Sequence, residues 1–258
     1  MAEQGCVRHV GRIVFGPDSW VLQTLDSHAR NTALLAEAWD ARAAFPGPIP
    51  DLSVTRARLI EAARAHDTGK PACFRLTYAQ SPSGGRHFDY SFSGHPYHAF
   101  HSDPYVQTLV RLHHQYSVDA ITEHVARLRL EPETQPLAGN LPLDLYALEM
   151  CDQIEATVAC AVLGARDPEA RVFMDFQLRA VSDRRFEVDP YPFGQTAVTI
   201  ELGFVELAPS RAHVTAVEKA RSEVDRRSAV RELEAWLLRE FRGILPQRRE
   251  VELCPWRT

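Results

Sequence analysis

The chain of 258 residues, with 45% hydrophobic and 24% charged residues, has the composition of a globular protein that can bury a sizeable core. Its 29 basic and 34 acidic side chains give a net charge of −5. This charge disfavours nucleic-acid binding by bulk charge, but not by a local basic groove or by bound metal ions. The N-terminal residues lack the pattern of a signal peptide and no apolar stretch has the length of a bilayer span, so we expect a cytoplasmic protein without membrane contact. The five cysteines contain no Cys-x-x-Cys pair, which argues against a disulfide framework and a thiolate zinc site.

The spacing of apolar residues predicts helices through the first two thirds of the chain. A first helix is predicted over residues 18–44. A second begins with Ser53 as its N-cap, runs to the His66-Asp67 pair and ends at Gly69, where the backbone can turn away. Further helices are predicted over residues 104–114, 118–130 and 143–163.

After residue 168 the composition changes towards Val, Phe, Thr and Ile, which favour strands. Strands are predicted over residues 173–178, 185–188, 197–207 and 251–253. A long charged helix is predicted over residues 214–242. We therefore expect a mainly α protein, with a helical domain over residues 1–168 and a smaller C-terminal α/β extension over residues 169–258.

Histidine and aspartate are the residue types that stand out, since eight of the eleven histidines lie between His28 and His114. His66 and Asp67 are adjacent at the end of a predicted helix, so their side chains project about 100° apart and can face two ions. The carboxylate can bridge two cations, whereas Lys70 can reach a phosphate oxygen or hold a carboxylate. Taken singly, His28 is also compatible with a hydrogen-bonded core residue, and Asp152 with a helix-surface acid.

Their order along the chain is more specific than any single residue. A helical histidine, the motif His-Asp-Thr-Gly-Lys, a later histidine, a His-His doublet and a distant helical aspartate resemble the HD superfamily of metal-dependent phosphohydrolases, a helical fold. Within it, the chain is most similar to the HD nuclease of type I CRISPR interference. The stretches that carry this similarity are AHDTGKPACF (residues 65–74), FSGHPYH (92–98) and VRLHH (110–114), followed by Asp152.

The resemblance implies two divalent metal sites that share one carboxylate. The first would be held by His28, His66, Asp67 and Asp152. The second would be held by Asp67, His95, His113 and His114. Asp67 and Lys70 would be the catalytic residues, and no organic cofactor is implied. His98 is the alternative to His95, which we favour because it follows a glycine at the usual place.

Mixed imidazole and carboxylate ligands suit Mn²⁺, Fe²⁺, Co²⁺ or Ni²⁺ better than a closed tetrahedral zinc site, and Mg²⁺ is possible. Two such ions can activate a water and neutralise a phosphodiester, so a cysteine or serine nucleophile is not required. By resemblance, the substrate is single-stranded DNA and the activity belongs to CRISPR antiviral defence. The partners would be a separate ATP-dependent helicase and an RNA-guided surveillance complex, since the chain has no phosphate-binding loop.

Two other functions are compatible with the sequence. One is an HD phosphohydrolase acting on nucleotides or cyclic nucleotides, and the other is an inactive regulatory HD module. The extension could dock a partner or guide DNA. Four aromatic residues could either stack on bases or pack in the core: Tyr78, Tyr90, Phe92 and Tyr97.

Overall fold

The computed structural model describes residues 9–40, 45, 47–81, 84–163, 177–189 and 196–244. The described protein is mainly helical, at about 53%, and its strands form three small antiparallel sheets. The predicted strand at 251–253 lies outside the described residues. Within the described ranges, no helix combines the length and the apolar character needed to cross a membrane.

The helices are α1 (Leu25–Ala38), α2 (Arg56–Ala65), α3 (Lys70–Cys73), α4 (Pro104–Leu112), α5 (Val118–Leu128), α6 (Leu141–Leu163), α7 (Arg211–Lys219) and α8 (Glu223–Ile244). The strands are β1 (Val10–Phe15), β2 (Trp20–Thr24), β3 (Arg75–Gln80), β4 (Arg86–Ser91), β5 (Gln177–Ala180), β6 (Arg185–Asp189), β7 (Val198–Glu201) and β8 (Phe204–Leu207). The sheets have the strand orders β1-β2-β8, β3-β4 and β5-β6-β7.

The chain divides into two compact units. The first combines Met1–Asp26, Pro71–Ser93 and Phe204–Thr258, and the second combines Ser27–Lys70 and Gly94–Gly203. The units are interleaved along the chain, whereas the division predicted from the sequence is a single cut after residue 168. That cut falls within residues 164–176, outside the described residues.

The first unit contains strands that the sequence analysis did not predict. Residues 20–24 form strand β2 rather than the start of a helix, and α1 begins only at Leu25. This segment is extended because it pairs on both sides, with Trp20 opposite Phe15 of β1 and opposite Leu207 of β8. Trp20 and Leu22 then point to the same face of the sheet and are buried.

The β3-β4 hairpin is the second feature that the sequence analysis did not predict. Its aromatic side chains pack against the buried core of the first unit, which includes Trp20, Leu233 and Leu237. The backbone N–H of Leu76 in β3 donates to the Glu234 carboxylate of α8 at 2.6 Å. Three of the four aromatic candidates for base stacking belong to this packing: Tyr78, Tyr90 and Phe92.

The C-terminal third differs from the prediction in two places. The predicted strand over residues 197–207 is two strands, β7 and β8, in different sheets. The predicted helix over residues 214–242 is two helices, because Ala220 takes an extended ψ of 125° and Ser222 begins a new helix. The Ser222 hydroxyl accepts from the Asp225 N–H at 3.1 Å, as an N-cap does.

In the second unit, helices α2, α4 and α6 pack against one another. They bury apolar faces that include Leu59, Leu109 and Leu148, each at most 2% exposed. Helix α2 begins at Arg56, and Asp51 rather than Ser53 caps the short turn before it. His66 and Asp67 directly follow the C-terminal end of α2, and His113 and His114 directly follow that of α4.

Candidate metal centre

Five segments of the second unit bring the predicted ligands together. His28 lies on α1, His66 and Asp67 follow α2, and His95 begins the short turn His95–Tyr97. The remaining predicted ligands are His113 and His114, which follow α4, and Asp152 in the middle of α6. The imidazoles of His28, His66, His95 and His113, like the Asp67 carboxylate, are buried.

The Asp67 carboxylate lies at the centre of this cluster. Its Oδ2 atom is 3.0 Å from Nε2 of His28 and 3.3 Å from Nε2 of His66. Its Oδ1 atom is 2.8 Å from Nε2 of His95 and 3.8 Å from Nε2 of His113. The two oxygens therefore face two different pairs of histidines.

Two groups of side chains could hold a metal ion. The first is His28, His66 and Asp67, and the second is His95, His113 and His114. The ligand atoms within each group lie within 4.8 Å of one another. Asp152 adjoins the first group, since its Oδ1 atom is 3.1 Å from Nε2 of His28.

The hydrogen bonds behind the imidazoles determine which nitrogen faces the cluster. Nδ1 of His66 lies 2.8 Å from the Ala63 carbonyl, and Nδ1 of His113 lies 2.6 Å from the Val110 carbonyl. Because a carbonyl only accepts, Nδ1 carries a proton in both rings, so Nε2 faces the cluster and presents a lone pair there whenever the imidazole is neutral.

When its imidazoles are neutral, as metal binding requires, the cluster has an excess of acceptors. Both oxygens of Asp67 are buried without a partner of hydrogen-bond geometry among the described residues. A buried acceptor left unsatisfied costs about 1–3 kcal/mol. The ammonium group of Lys70 contacts Oδ2 of Asp67. This one cation cannot also neutralise the Nε2 lone pairs of both histidine groups. This donor set fits bound divalent cations.

The charges of the cluster shift the pKa values of its members. Burial lowers the pKa of His66, but the carboxylates of Asp67 and Asp152 outweigh it and raise this pKa to about 9. Burial and the neighbouring His66 and His114 lower the pKa of His113 to about 3. Despite burial, Lys70 and His66 hold the pKa of Asp67 well below its ordinary value. The first group thus attracts positive charge strongly.

The structure distinguishes between the histidines that follow Gly94. His95 is buried and contacts Asp67, whereas His98 is exposed at the end of the same turn and outside both groups. Gly94 begins the turn at a φ of +81°, which favours glycine. His101 binds Glu61 instead, at 2.9 Å.

Gly69 has a different role from the predicted one. Its φ is not positive, so the turn does not require a glycine for backbone freedom. A Cβ atom at this position would overlap the carbonyl oxygen of His95 and lie 2.9 Å from the Ala99 nitrogen. The absence of a side chain therefore lets the end of α2 approach the turn that carries His95.

Sequence reasoning missed Glu155, which is fully buried on α6. Its Oε2 atom lies 2.5 Å from Nδ1 of His28, and its Oε1 atom accepts from the Asn31 amide at 3.3 Å. The available signal was the spacing of three residues from Asp152, which places both carboxylates on one side of a helix.

Comparison with known proteins adds no relative: no family model matches the chain, and neither a curated protein nor a solved structure matches it. The interpretation of this centre therefore depends on its own geometry and chemistry.

Proposed function

We propose that this protein is a metal-dependent nuclease of the HD type, which hydrolyses phosphodiester bonds of single-stranded DNA with two divalent cations. The single observation that carries the proposal is the position of Asp67. One of its carboxylate oxygens faces each of the two groups of histidines that could hold a cation. A ligand that bridges two cations requires this arrangement.

The side chains divide the work as follows. His28, His66, Asp67 and Asp152 would hold the first cation, and Asp67, His95, His113 and His114 would hold the second. When bound, the pair of cations activates water and neutralises the charge of the phosphodiester. Lys70 holds Oδ2 of Asp67 and so fixes the orientation of the bridging carboxylate. We expect a transition metal such as Mn²⁺, Co²⁺, Ni²⁺ or Fe²⁺, with Mg²⁺ possible.

Exposed aromatic side chains that lie close along the chain to the predicted ligands favour a single-stranded substrate. Three of the exposed large hydrophobic residues are aromatic: Tyr97, Phe100 and Tyr116, at 77%, 84% and 67% exposure. Each follows a predicted histidine ligand by no more than five residues along the chain. Unstacked bases bind to such rings in a way that tolerates any sequence.

The biological setting follows from the resemblance described above. We propose that the protein acts in the cytoplasm in CRISPR antiviral defence, on DNA opened by a separate helicase and an RNA-guided complex. The adjacent basic residues Arg226 and Arg227 both bind Glu223, which offsets part of their positive charge. The two cations would supply attraction for phosphate at the centre itself.

The test uses the full chain, stripped with chelator and then supplied with Mn²⁺, Co²⁺, Ni²⁺ or Mg²⁺. Each preparation is incubated with labelled single-stranded DNA, duplex DNA, single-stranded RNA and a panel of nucleotides and cyclic nucleotides. We expect a transition metal to restore cleavage of single-stranded DNA. Selective hydrolysis of a nucleotide would instead favour the HD phosphohydrolase. Metal uptake without turnover of any substrate would favour a regulatory module.

A further inference from the structure

The Glu155 carboxylate is a buried acid that the proposed metal chemistry does not yet use. Glu155 has no exposed surface, and its Oε2 atom lies 2.5 Å from Nδ1 of His28 across 127 residues of chain. Burying a carboxylate is unfavourable unless hydrogen bonds or charges compensate it. The position of this acid therefore calls for a function at the imidazole that it contacts.

His28 differs from His66 and His113 in what lies behind its ring. His66 and His113 each place Nδ1 against a carbonyl three residues earlier in their own segment. Nδ1 of His28 instead faces a side chain from another helix, and that side chain can carry a full negative charge. Such a partner fixes the tautomer and makes the imidazole a stronger donor to a cation.

A second contact holds Glu155 in place. Asn31, one helical turn after His28, donates to Oε1 of Glu155 at 3.3 Å. Asn31 is itself held by both backbone groups of Glu201, at 3.0 and 3.2 Å. The carboxylate is thus fixed between two residues of α1 and cannot turn away from the imidazole without breaking this network.

Helix α6 contacts both nitrogens of the same ring. Asp152 lies 3.1 Å from Nε2 of His28, and Glu155, three residues later, contacts Nδ1. The spacing of three residues places both carboxylates on the side of α6 that faces α1. One turn of helix therefore supplies a predicted ligand and the group that orients another.

We propose that Glu155 is a positioning residue for the first metal site, a proposal that rests on the proposed function. Its carboxylate holds His28 so that Nε2 points at the cation, and its charge strengthens that bond. Loss of such an outer partner typically weakens metal binding by roughly 10–100-fold. We expect the effect at the first site, because the imidazole that Glu155 contacts, that of His28, is a predicted ligand of that site.

The experiment titrates metal-free full chain with Mn²⁺ by calorimetry and follows the spin coupling of the two ions by electron paramagnetic resonance. The variants are Glu155→Ala, which removes the acceptor, and Glu155→Gln, which keeps an acceptor and removes the charge. Asp144→Asn is the matched control, since Asp144 is a buried carboxylate of the same helix that binds Tyr105 at 2.7 Å rather than a ligand histidine.

We expect the wild type and Asp144→Asn to bind two coupled ions. In Glu155→Ala one site should weaken at least tenfold and the coupled signal should give way to that of a single ion, with part of the affinity restored in Glu155→Gln. If Glu155→Ala does not fold, Glu155→Gln decides alone by the weakening of one site. Wild-type affinity at both sites in the folded Glu155 variants would overturn this inference and leave the proposed function intact. A wild type that takes up no Mn²⁺ would overturn both.

Discussion

At the scale of single residues, the Asp67 carboxylate lies between the two groups of predicted histidine ligands. It is buried, its oxygens face histidines from α1, from the turn at His95 and from the ends of α2 and α4, and its charge is held by Lys70 and His66. Asparagine at this position would have the same shape but no charge, and its NH2 group would donate to the histidine nitrogens instead of binding a cation. The identity of this one side chain should therefore control the uptake of both cations.

We expect Asp67→Asn to lose tight binding of both metal ions. Since loss of an outer partner alone costs roughly 10–100-fold, removal of the shared ligand should reduce cleavage of single-stranded DNA by more than about 100-fold. Elemental analysis after dialysis and a cleavage assay measure the two effects. Asp119→Asn, an exposed acid of α5, serves as the control. Full metal content in the Asp67 variant would contradict the bridging position.

The exposed rings of Tyr97, Phe100 and Tyr116 should contribute to substrate binding and not to the chemical step. Base stacking is worth about 1–3 kcal/mol per base, so replacing any one of them by alanine should raise the KM for single-stranded DNA roughly 5–150-fold. Hydrolysis of bis(4-nitrophenyl) phosphate, which has no bases, should stay unchanged. Leu130→Ala removes an equally exposed apolar side chain elsewhere and is the control. Equal loss on both substrates would exclude a stacking role.

At the scale of elements, the approach of α2 to the turn that carries His95 depends on one missing side chain. Gly69→Ala would place a methyl group against the His95 carbonyl and must push the turn away. We expect a lower melting temperature of the metal-free protein and weaker binding at the second metal site, measured by scanning calorimetry and Mn²⁺ titration. Gly139→Ala lies in a short turn with nothing within 4 Å of the added atom. It should be neutral or slightly stabilising. An unaffected Gly69 variant would show that the turn adapts freely.

Strand β2 and the β3-β4 hairpin differ from the prediction because they pack against distant segments. Residues 20–24 carry apolar side chains that suit a helix face as well as a strand, and the choice is made by β8, which lies more than 180 residues later. The division of the last helix has a local cause, the Ser222 cap, and a reading of cap residues could have found it. The β3-β4 hairpin is stabilised by core packing of its aromatic side chains.

At the scale of the whole molecule, residues 204–244 contribute to the core of the first unit. Val205, Leu207, Val217, Leu233, Leu237 and Phe241 belong to the same buried cluster as Trp20 and Leu22. We expect a chain cut after residue 168 to fail to fold, because β2 would lose its partner β8 and much of that cluster would be removed. Circular dichroism and a denaturant titration measure this outcome. A cooperative unfolding transition in residues 1–168 would show that they form an independent domain.

The stability of the metal-free protein should fall as the pH rises from 6.5 to about 9. The pKa of His66 is raised from 6.5 to about 9, so its proton stabilises the folded state fully below 6.5 and is lost as the pH rises through 9. Bound metal should reverse this trend, since binding requires deprotonated imidazoles. Urea unfolding at several pH values, with chelator and with Mn²⁺, tests both directions. Constant stability of the metal-free protein across this range would refute the charge distribution described here.

The amino-acid sequence by itself indicated the helical character of the second unit and most of the residues that meet there. Both depend on local information. The spacing of apolar residues along the sequence predicts a helix, and His66 and Asp67 are adjacent in any fold. Only the tertiary structure decided which histidine after Gly94 enters the cluster, placed Glu155 behind His28, and drew β1, β2 and β8 into one sheet. Those outcomes depend on contacts between segments that are far apart in the chain. The free energies of such contacts cannot be inferred from the local sequence of either segment.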